Sequence, residues 1–564
     1  MRVLGVHFGH DSCAALIVDG RIVVDVQEER FVRIKHYAGM PFKSVEQCLK
    51  LGGITMEDID AIAVSSDQQL SELNFLFEFP VGMEQKKSKQ RQLLEFVRSK
   101  QKQRIQKQGL PLYMKRFEVS PHTKVFNVNH HLAHAASAYY TSGTSDKQLI
   151  ITADGMGDGL SLCVYRGENG EITPLRQWGT EGSLGWFYSN VTEGIGWWHG
   201  DGEGKTMGLA PYGNPDNCRG VLAGLYPRFE NGELVEPHDF GQVYLWFEAS
   251  VCQYHLDESY AIEKLVAQYG KEDISAEGQR VLEEEMFKIV FPWMERENVQ
   301  DISCAGGIFL NVKLNQHIWE TGKVRRQHIF PNAGDSGLAV GAALYACHQM
   351  DKNTPYPVLE QLYFGNEYTN EEIKDVLDLR KVKYTWVDDP SKYAAERLAE
   401  NKIVAWFQGK MESGPRALGN RSILMSANRP ENKDLINAKV KFREGFRPFC
   451  PSMLWEKKDD YLENARDEFF MITSFTCKPE KRDKVPAVVH ADNTLRPQTV
   501  KKDFNERYWN LINEFGTLTG EYLVMNTSFN LMGEPIMSHP RDAIRCFYDN
   551  GMDCLVIGNY VLEK

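Results

Sequence analysis

Two similar stretches of sequence predict the fold. Residues 3–26 read VLGVHFGHDSCAALIVDGRIVVDV, and residues 149–176 read LIITADGMGDGLSLCVYRGENGEITPLR. Each begins with a short apolar strand, passes through a polar, glycine-containing loop and returns through a hairpin. We predict the second of these loops over residues 153–159. The two copies predict a duplicated α/β domain whose loops face one cleft. Such a cleft suits a nucleotide, because glycines admit phosphates and acids can hold a metal.

The length and composition limit the class of protein. The chain has 564 residues, 42% hydrophobic and 25% charged, which at roughly 100–200 residues per domain predicts two to four globular domains. The formal net charge of −12 argues against a general nucleic-acid coat. The chain lacks the run of about 18 apolar residues that a transmembrane helix needs, and its 11 scattered cysteines fit a reducing compartment. We expect a cytoplasmic protein without nucleic-acid or membrane partners, and a homodimer stays open.

A linker divides the chain. The Pro-containing stretch at residues 351–360 follows a predicted helix at residues 337–348. We place the boundary near residue 358 and predict a first domain over residues 1–355 and a second over residues 359–564.

One segment of the first domain is strongly basic. Residues 84–116 carry eleven Lys or Arg residues against two Glu. The pattern predicts either an anion or nucleic-acid face or a solvated, lysine-rich helix, and the solvated helix is the commoner case.

A histidine pair indicates a metal site. His130 and His134 are four residues apart in an alanine-rich segment that favours helix, so both imidazoles leave one face and can meet one ion. On such a helix His131 points about 100° away from His130. Asp154 and Asp335, each in a glycine-containing segment, are the candidate acidic ligands. Packed or capping histidines are the alternative, and spacing does not choose among iron, zinc and manganese.

Two glycine-rich segments are candidate ligand loops. Gly306 and Gly307 follow an apolar run, where they permit close approach of a nucleotide, although a tight turn explains them equally well. Residues 200–213 place five glycines around Glu203 and Lys205. We interpret this segment as a mobile loop that contacts a substrate or phosphate, with an ordinary surface loop as the alternative. The Walker spacing of a phosphate-binding loop is absent.

The second half of the chain concentrates cations near predicted turns. In a protein of net charge −12 this concentration predicts a small anion pocket, because Arg offers phosphate a planar charged fork and Lys a point charge. Solvated surface is the alternative for any single residue. The polar and charged residues of this set are Lys410, Arg416, Arg421, Lys439, Lys441, Arg443, Arg447, Asp492, Arg496, Asn526, Thr527, Ser528 and Asn530.

Together these motifs resemble the NodU/CmcH-type O-carbamoyltransferases, and the resemblance covers nearly the whole chain. In the first half the matching strings are HDS at 10–12, EERF at 28–31 with Lys35-His36, the histidine pair, and EGKTMGLA at 203–210. In the second half they are GPRALGNRS at 414–422, FRPF at 446–449, HADNTLRPQ at 490–498 and NTSFN at 526–530.

The resemblance implies a fold and a reaction. It implies an N-terminal duplicated actin/Hsp70-like (Kae1-like) domain followed by a smaller YrdC-like α/β domain. In such proteins carbamoyl phosphate loses phosphate, and the carbamate attacks ATP to give carbamoyladenylate and pyrophosphate in the YrdC-like pocket. The carbamoyl group then passes to a hydroxyl of a natural-product, sugar or antibiotic acceptor in the Kae1-like domain. A divalent metal would hold the nucleotide phosphates, with iron favoured and magnesium, manganese or zinc as alternatives.

The resemblance also implies roles for individual residues. We expect His10 to be the general base for the acceptor hydroxyl and Asp11 to orient it. The metal would lie on His130, His134 and an aspartate, for which Asp335 is preferred to Asp154. Carbamoyl phosphate and carbamoyladenylate would contact Arg416, Lys441, Arg447, Arg496, Asn526, Thr527 and Ser528. The nucleotide would contact Lys35, Gly155, Gly157, Lys205, Gly306, Gly307 and Asn311.

Three other functions stay open at this point. A tRNA threonylcarbamoyl-type modification enzyme would use the same two folds, but only the basic segment supports it. An actin-fold sugar kinase gives the cations of the second half no role. A non-catalytic nucleotide-binding scaffold is not distinguished by sequence. The first loop is shorter than in many relatives, which leaves the acceptor undetermined.

Overall fold

The computed structural model of the protein describes residues 1–68, 76–78, 117–240, 244–247, 250–253 and 257–564. The basic segment at residues 84–116, predicted as a solvated helix, lies outside the described residues. Within the described ranges, no helix combines the length and the apolar character needed to cross a membrane.

The first sheet is formed by the first repeated stretch and two later strands. Its central strand, Arg2–His7, pairs with an antiparallel hairpin on one side and a parallel strand on the other. Alternate side chains enter two different cores, so Val3 packs with the helix Leu338–Met350 and Leu4 with the helix Phe42–Gly52. In order across the sheet the strands are Arg21–Gln27, Cys13–Val18, Arg2–His7, Ala61–Val64 and Lys124–Asn127.

The second sheet repeats this plan and confirms the predicted duplication. It has the same strand order and the same strand directions: Glu171–Trp178, Leu160–Glu168, Gln148–Gly157, Asp301–Ala305 and Arg326–Ile329. The predicted loop at residues 153–159 is wrong in extent. The strand continues to Gly157 and turns only at Asp158-Gly159. A bulge between Ala153 and Gly157 shifts the register, so polar residues that resemble a loop stay in the strand.

Two helices pack against each other between the sheets. The helix His130–Tyr140, which we call the histidine helix, follows the last strand of the first sheet, and Leu338–Met350 follows that of the second. Small residues bring the two backbones close together, since a Cβ added at Gly341 would lie 1.9 Å from the carbonyl oxygen of Ala133.

Replacing Gly341 by alanine is therefore expected to lower the free energy of unfolding by about 1–3 kcal/mol, because the added methyl meets backbone that cannot move aside. Denaturant unfolding measures this loss. The matched helical control is Gly204→Ala, where an added Cβ meets nothing within 4 Å, and it is expected to leave stability unchanged or raised. An unchanged midpoint for Gly341→Ala would contradict the close packing.

The second half of the chain forms a third, eight-stranded sheet. Its two faces bury different residues: Ala405 packs beneath the helices Asn370–Arg380 and Pro540–Tyr548, and Trp406 beneath Pro390–Ala399 and Glu506–Thr519. Across the sheet the strands are Thr385–Trp386, Tyr560–Glu563, Cys554–Ile557, Val404–Phe407, Arg421–Ser426, Leu523–Ser528, Cys450–Leu454 and Gln498–Val500.

The linker prediction falls in a stretch with little regular structure. Residues 351–369 contain no helix or strand beyond an isolated bridge between Ser142 and Val358. The boundary near residue 358 and the YrdC-like character of the second domain stay predictions.

Shorter elements complete the described fold. The predicted mobile loop at residues 200–213 is wrong, because Glu203–Leu209 is a helix. The remaining two-stranded pairs are Phe77–Glu78 with Phe117–Glu118, Arg228–Glu230 with Glu233–Glu236, Tyr244–Phe247 with Ser250–Gln253, and Phe475–Thr476 with Thr494–Leu495. The remaining helices are Glu29–Val32, Leu184–Gly194, Asp257–Tyr269, Lys271–Glu297, Val312–Glu320, Glu431–Ile436, the π-helix Asn437–Lys441, Lys458–Tyr461 and Pro479–Arg482.

Candidate active site

The histidine helix presents the predicted pair as expected. The Asn129 side chain accepts hydrogen bonds from the backbone N–H groups of His131 (3.1 Å) and Leu132 (3.4 Å), which caps the helix. The rings of His130 and His134 leave one face, with centroids 4.8 Å apart. Gly157 leaves room for one of them, since a Cβ there would come within 2.1 Å of the His130 ring.

Two carboxylates approach this pair from other elements. His130 Nε2 lies 2.8 Å from Asp154 Oδ2 and 3.7 Å from Asp335 Oδ1. His134 Nε2 lies 3.6 Å from each of the same two oxygens. One ligand atom from each residue falls within 4.8 Å of the others. The structure thus brings together the four predicted metal ligands, which we call the histidine–aspartate cluster.

The donor set of this cluster fits a divalent cation. His134 Nε2 and Asp154 Oδ1 are buried without a hydrogen-bond partner. Burial opposes ionisation, but nearby histidines, His131 foremost, hold the pKa of Asp154 well below its usual range. Burial likewise opposes ionisation of Asp335, and His10 and His130 outweigh it and lower its pKa. Both aspartates are therefore carboxylates at neutral pH. Two imidazoles and two carboxylates suit iron, manganese or zinc.

His131, predicted to leave the helix about 100° away from His130, still reaches one of the candidate ligands. Its Nε2 lies 3.3 Å from Asp154 Oδ1, and its Nδ1 lies 2.8 Å from Thr152 Oγ1. The two oxygens of Asp154 contact neighbouring residues of the histidine helix: Oδ2 lies next to His130 and Oδ1 next to His131. His131 therefore orients a ligand from the second layer of the site.

A chain of alternating charges leads outward from Asp335. His10 Nε2 lies 3.1 Å from Asp335 Oδ2, and His10 Nδ1 lies 3.0 Å from Asp11 Oδ2. The other Asp11 oxygen lies 2.8 Å from His36 Nδ1. Partial loss of solvation opposes protonation, but the carboxylates outweigh it and raise the pKa of His10 to about 9 and that of His36 to about 10. Both rings are therefore imidazolium ions in this arrangement at neutral pH.

Lys35 and Asp201 extend this chain toward the second half of the protein. Lys35 Nζ donates to the Asp201 carboxylate, and His36 Nε2 lies 3.6 Å from it. Burial opposes ionisation of Asp201, but His36 and Lys35 hold its pKa well below the usual range. Beside them, Lys205 Nζ lies 3.2 Å from Glu444 Oε1, a direct contact between the two halves.

Five cations gather at the third sheet, and we call them the cation cluster: Arg416, Lys441, Arg443, Arg447 and Arg496. Burial, then repulsion from Arg496 and Arg447, lowers the pKa of Arg416 to about 9. Burial, then Arg447 and Arg496, lowers that of Arg443 to about 9. Burial and Arg443 lower the pKa of Lys441 well below its usual range.

The charge of this cluster is poorly compensated. Arg447 lies 3.9 Å from Glu444 Oε2, and the other four cations have no carboxylate within 4.0 Å among the residues that the structure describes. Lys441 Nζ instead donates to neutral groups, the backbone oxygen of Ser528 (2.5 Å) and Asn530 Oδ1 (2.8 Å). The cluster therefore carries excess positive charge, which favours the approach of an anion.

The comparisons with known proteins identify the family. The family model described as Carbamoyltransferase N-terminus matches residues 2–344, and the one described as Carbamoyltransferase C-terminus matches residues 395–564. The chain belongs to the carbamoyltransferase family. This carbamoyltransferase is 34% identical to Nodulation protein NolNO of Sinorhizobium fredii, over 99% of this chain and 79% of that protein. It is 34% identical to Nodulation protein NolO of Bradyrhizobium diazoefficiens, over 78% of this chain and 79% of that protein. The family predicted from the motifs is confirmed.

Solved structures resemble this carbamoyltransferase only distantly. The activator of the 2-hydroxyisocaproyl-CoA dehydratase from Clostridium difficile is 13% identical, with a TM-score of 0.33 over 62% of this chain and 95% of that chain. A full-length HypF in the phosphate- and nucleotide-bound form is 13% identical, with a TM-score of 0.29 over 63% of this chain and 47% of that chain. These similarities are too weak to carry an assignment.

The predicted glycines that would contact nucleotide lie at the carboxyl ends of two adjacent strands of the second sheet, Gln148–Gly157 and Asp301–Ala305. Gly155 lies against Trp186, whose ring a Cβ would approach to 3.3 Å. Gly306 has a φ of +101°, and a Cβ there would meet the Ala153 carbonyl oxygen at 2.2 Å. Gly307 faces open space, with nothing within 4 Å of an added Cβ. The chain therefore turns next to the strand of Asp154, and backbone is left accessible there.

Asn311, also predicted to contact nucleotide, has local partners. Its side chain accepts from the backbone N–H of Leu314 (3.0 Å), which caps the helix Val312–Glu320, and exchanges two hydrogen bonds with Gln279 (2.9 and 3.0 Å). These hydrogen bonds give Asn311 a structural role, and its contact with a nucleotide stays a prediction.

The three predicted carbamoyl contacts lie at the end of one strand beside the cation cluster. Asn526 is buried and donates to the Ala417 oxygen (3.1 Å) and to Ser452 Oγ (2.9 Å). Thr527 and Ser528 are half-buried, and Ser528 Oγ lies 3.4 Å from Lys441 Nζ.

Sequence reasoning assigned no role to His36 or Asp201. His36 lies next to Lys35, which was already singled out, and that adjacency was a usable signal. Asp201 stands among glycines next to other acids, and nothing in the sequence distinguishes it from Glu203.

Proposed function

We propose that the protein is an ATP-dependent O-carbamoyltransferase with two connected reaction centres. At the cation cluster, water hydrolyses carbamoyl phosphate to carbamate and inorganic phosphate, and a carbamate oxygen then attacks the α-phosphorus of ATP as pyrophosphate leaves. Near the histidine–aspartate cluster, the oxygen of an acceptor hydroxyl attacks the carbamoyl carbon. AMP leaves with the bonding electrons, and the hydroxyl proton passes to a base.

The observation that carries this proposal is the uncompensated cation cluster. Four of its five members have no carboxylate within 4.0 Å in the described ranges. Mutual repulsion of this kind costs stability in the free protein and is relieved when an anion enters. Carbamoyl phosphate and ATP are both polyanions, and they would repel one another strongly in a pocket without such cations. The hydroxyl of Ser528 supplies a neutral hydrogen-bonding group next to the charge.

The residues of the histidine–aspartate cluster would hold a divalent cation. When bound, that ion supplies positive charge for the nucleotide phosphates. The resemblance favours iron, with manganese, zinc and magnesium as alternatives. His131 and Thr152 keep the Asp154 carboxylate oriented, and Gly157 leaves the space that the His130 ring occupies.

His10 is the proposed base for the acceptor. Its side chain is 51% exposed, so an acceptor can reach it, and Asp11 orients the ring through Nδ1. While its Nε2 pairs with Asp335, the ring holds a proton and cannot accept another. The base is available only when Asp335 is engaged by another cation, which the proposed metal ligation provides.

Replacing His10 by alanine is expected to slow carbamoyl transfer by about 10²–10⁴-fold, the usual contribution of a general base. Release of pyrophosphate from ATP and carbamoyl phosphate is expected to continue unchanged, because the cation cluster is intact. Both rates are measured on one preparation. Normal transfer in this variant would exclude His10 as the base.

Product analysis tests the proposal as a whole. The purified protein is incubated with ATP, carbamoyl phosphate and a divalent metal, with carbamoyladenylate followed by mass spectrometry and pyrophosphate by a coupled assay. Both products are expected only when carbamoyl phosphate is present. ADP in place of pyrophosphate would indicate a kinase, and no turnover would indicate a scaffold. Titration with tRNA at increasing salt tests the modification enzyme, for which we expect negligible affinity at moderate salt.

The acceptor and the setting of the reaction are part of the same proposal. We propose a small natural-product or sugar-like hydroxyl acceptor, such as an antibiotic precursor, and no nucleic-acid or membrane partner. The ten cysteines with described side chains are all buried and free, which supports a reducing, cytoplasmic location. A homodimer stays a prediction.

A further inference from the structure

A buried polar junction joins the loop that carries Arg416 to the loop that carries Asp335. The junction consists of Asp25 on the first sheet, Asn332 and Ser413, and all three side chains are about 1% exposed. Ser413 Oγ donates to the Asp25 carboxylate, and Asn332 Nδ2 lies 3.5 Å from the same hydroxyl. Three segments far apart in sequence therefore meet at one hydroxyl group.

On one side the junction fixes the Asp335 loop. Asn332 Nδ2 donates to the backbone oxygen of Ser336 (2.9 Å), and Asn332 Oδ1 accepts from Ser336 Oγ (2.5 Å). Ser336 directly follows Asp335 in the chain. Movement of Asn332 would therefore move the carboxylate of the histidine–aspartate cluster.

On the other side the junction fixes the Arg416 loop. The buried Arg30 donates to the Gly414 oxygen (2.6 Å), one residue after Ser413. The buried Glu412 closes the same loop, because one of its oxygens accepts from three backbone N–H groups at 2.7–3.0 Å, those of Leu418, Asn420 and Arg421. Arg416 thus stands on a short loop held at both ends.

Burying the polar groups of this junction lowers the free energy of unfolding, which indicates that they are kept for a reason other than stability. Asp25 Oδ1 is buried without a hydrogen-bond partner. Burial, against the hydrogen bonds from Ser413 and Asn332, raises the pKa of Asp25 to about 7. Apolar side chains of similar volume would fill such a position at lower cost. Polar groups there impose a fixed geometry that apolar packing does not.

We propose that Asp25, Asn332 and Ser413 are positioning residues that hold the Arg416 loop against the Asp335 loop, so that an anion at the cation cluster and a divalent cation at the histidine–aspartate cluster favour each other's binding. The inference rests on the proposed function, which places ligands at both centres. Such coupling is reciprocal: each ligand strengthens the other by the same factor.

The test is a binding cycle on the full chain. Mn²⁺ binding is measured by calorimetry with and without saturating phosphonoacetamide, a stable analogue of carbamoyl phosphate. For the natural sequence we expect the analogue to strengthen Mn²⁺ binding about 5–150-fold. In Ser413→Ala and Asp25→Leu, each of which removes the hydrogen bond between these residues, we expect each ligand alone to bind normally but the coupling factor to fall to near one. The control is Ser303→Ala, which removes a buried serine bonded to Gln148 Oε1 (2.5 Å) in the second sheet, and it is expected to keep the coupling.

The outcomes separate this inference from the proposed function. Full coupling in both junction variants, or no coupling in the natural sequence although both ligands bind, would overturn the inference alone. Failure of the natural protein to bind the analogue would overturn the proposed function and the inference with it. If Ser413→Ala does not fold, Asp25→Leu decides the question, because leucine has a shape similar to that of aspartate and offers Ser413 no oxygen to bond.

Discussion

Replacing Arg416 by alanine is expected to slow pyrophosphate release from ATP and carbamoyl phosphate by about 10²–10³-fold, the usual effect of removing one preorganised donor to developing charge. Burial, and then repulsion from Arg496 and Arg447, lowers the pKa of the Arg416 guanidinium to about 9, so its charge is unfavourable in the protein without ligand. With polyanions bound, we expect it to offset part of their negative charge.

The same variant is expected to be no less stable than the natural protein when no ligand is present. Removing one of several mutually repelling cations relieves repulsion, whereas loss of a structural arginine would lower the melting temperature. Thermal unfolding without ligands checks this. The matched control is Arg429→Ala, an exposed arginine of the same domain, which is expected to change neither quantity. Normal pyrophosphate release by Arg416→Ala would show that the cluster is not the site of adenylate formation.

The sequence predicted the duplicated sheets because their signals are local. Apolar strands and the two hairpins lie within short stretches of sequence, whereas the place of the later strands that complete each five-stranded sheet was not predicted. The extent of the loop at residues 153–159 was not predictable, because a bulged strand and a loop share the same polar and glycine composition. The helix Glu203–Leu209 was missed for a similar reason, since its glycines lower helix propensity and tertiary packing overrides that preference.

The residues of the candidate site likewise divide into those that a local sequence pattern predicts and those that only tertiary packing brings together. The spacing of His130 and His134 fixes their shared face from helix geometry alone, and the two acidic candidates were found because each stands in a glycine-containing segment. His131 reaches Asp154 only because of how the second sheet faces the helix, which spacing does not describe. The Asp25–Ser413 contact joins residues 388 positions apart, and no local pattern marks either of them.

Replacing His134 by alanine is expected to weaken Mn²⁺ binding by more than about 100-fold, because loss of a ligand exceeds the 10–100-fold effect of losing a residue that orients one. His131→Ala, which removes such an orienting contact to Asp154, is expected to fall within that smaller range. The control is His317→Ala, a surface histidine paired with Glu283 at 2.8 Å, which is expected to bind Mn²⁺ normally.

The kinetic consequence of His134→Ala is opposite to that of Arg416→Ala. Carbamoyl transfer is expected to be lost while carbamoyladenylate and pyrophosphate still form, because the cation cluster does not use the imidazole. Arg416→Ala is expected to bind Mn²⁺ normally in the absence of anions and yet to form little adenylate. If His134→Ala instead abolished pyrophosphate release and left transfer of preformed carbamoyladenylate intact, the assignment of the two centres would have to be exchanged. Measuring both steps in both variants therefore tests the division of labour itself, which neither variant tests alone.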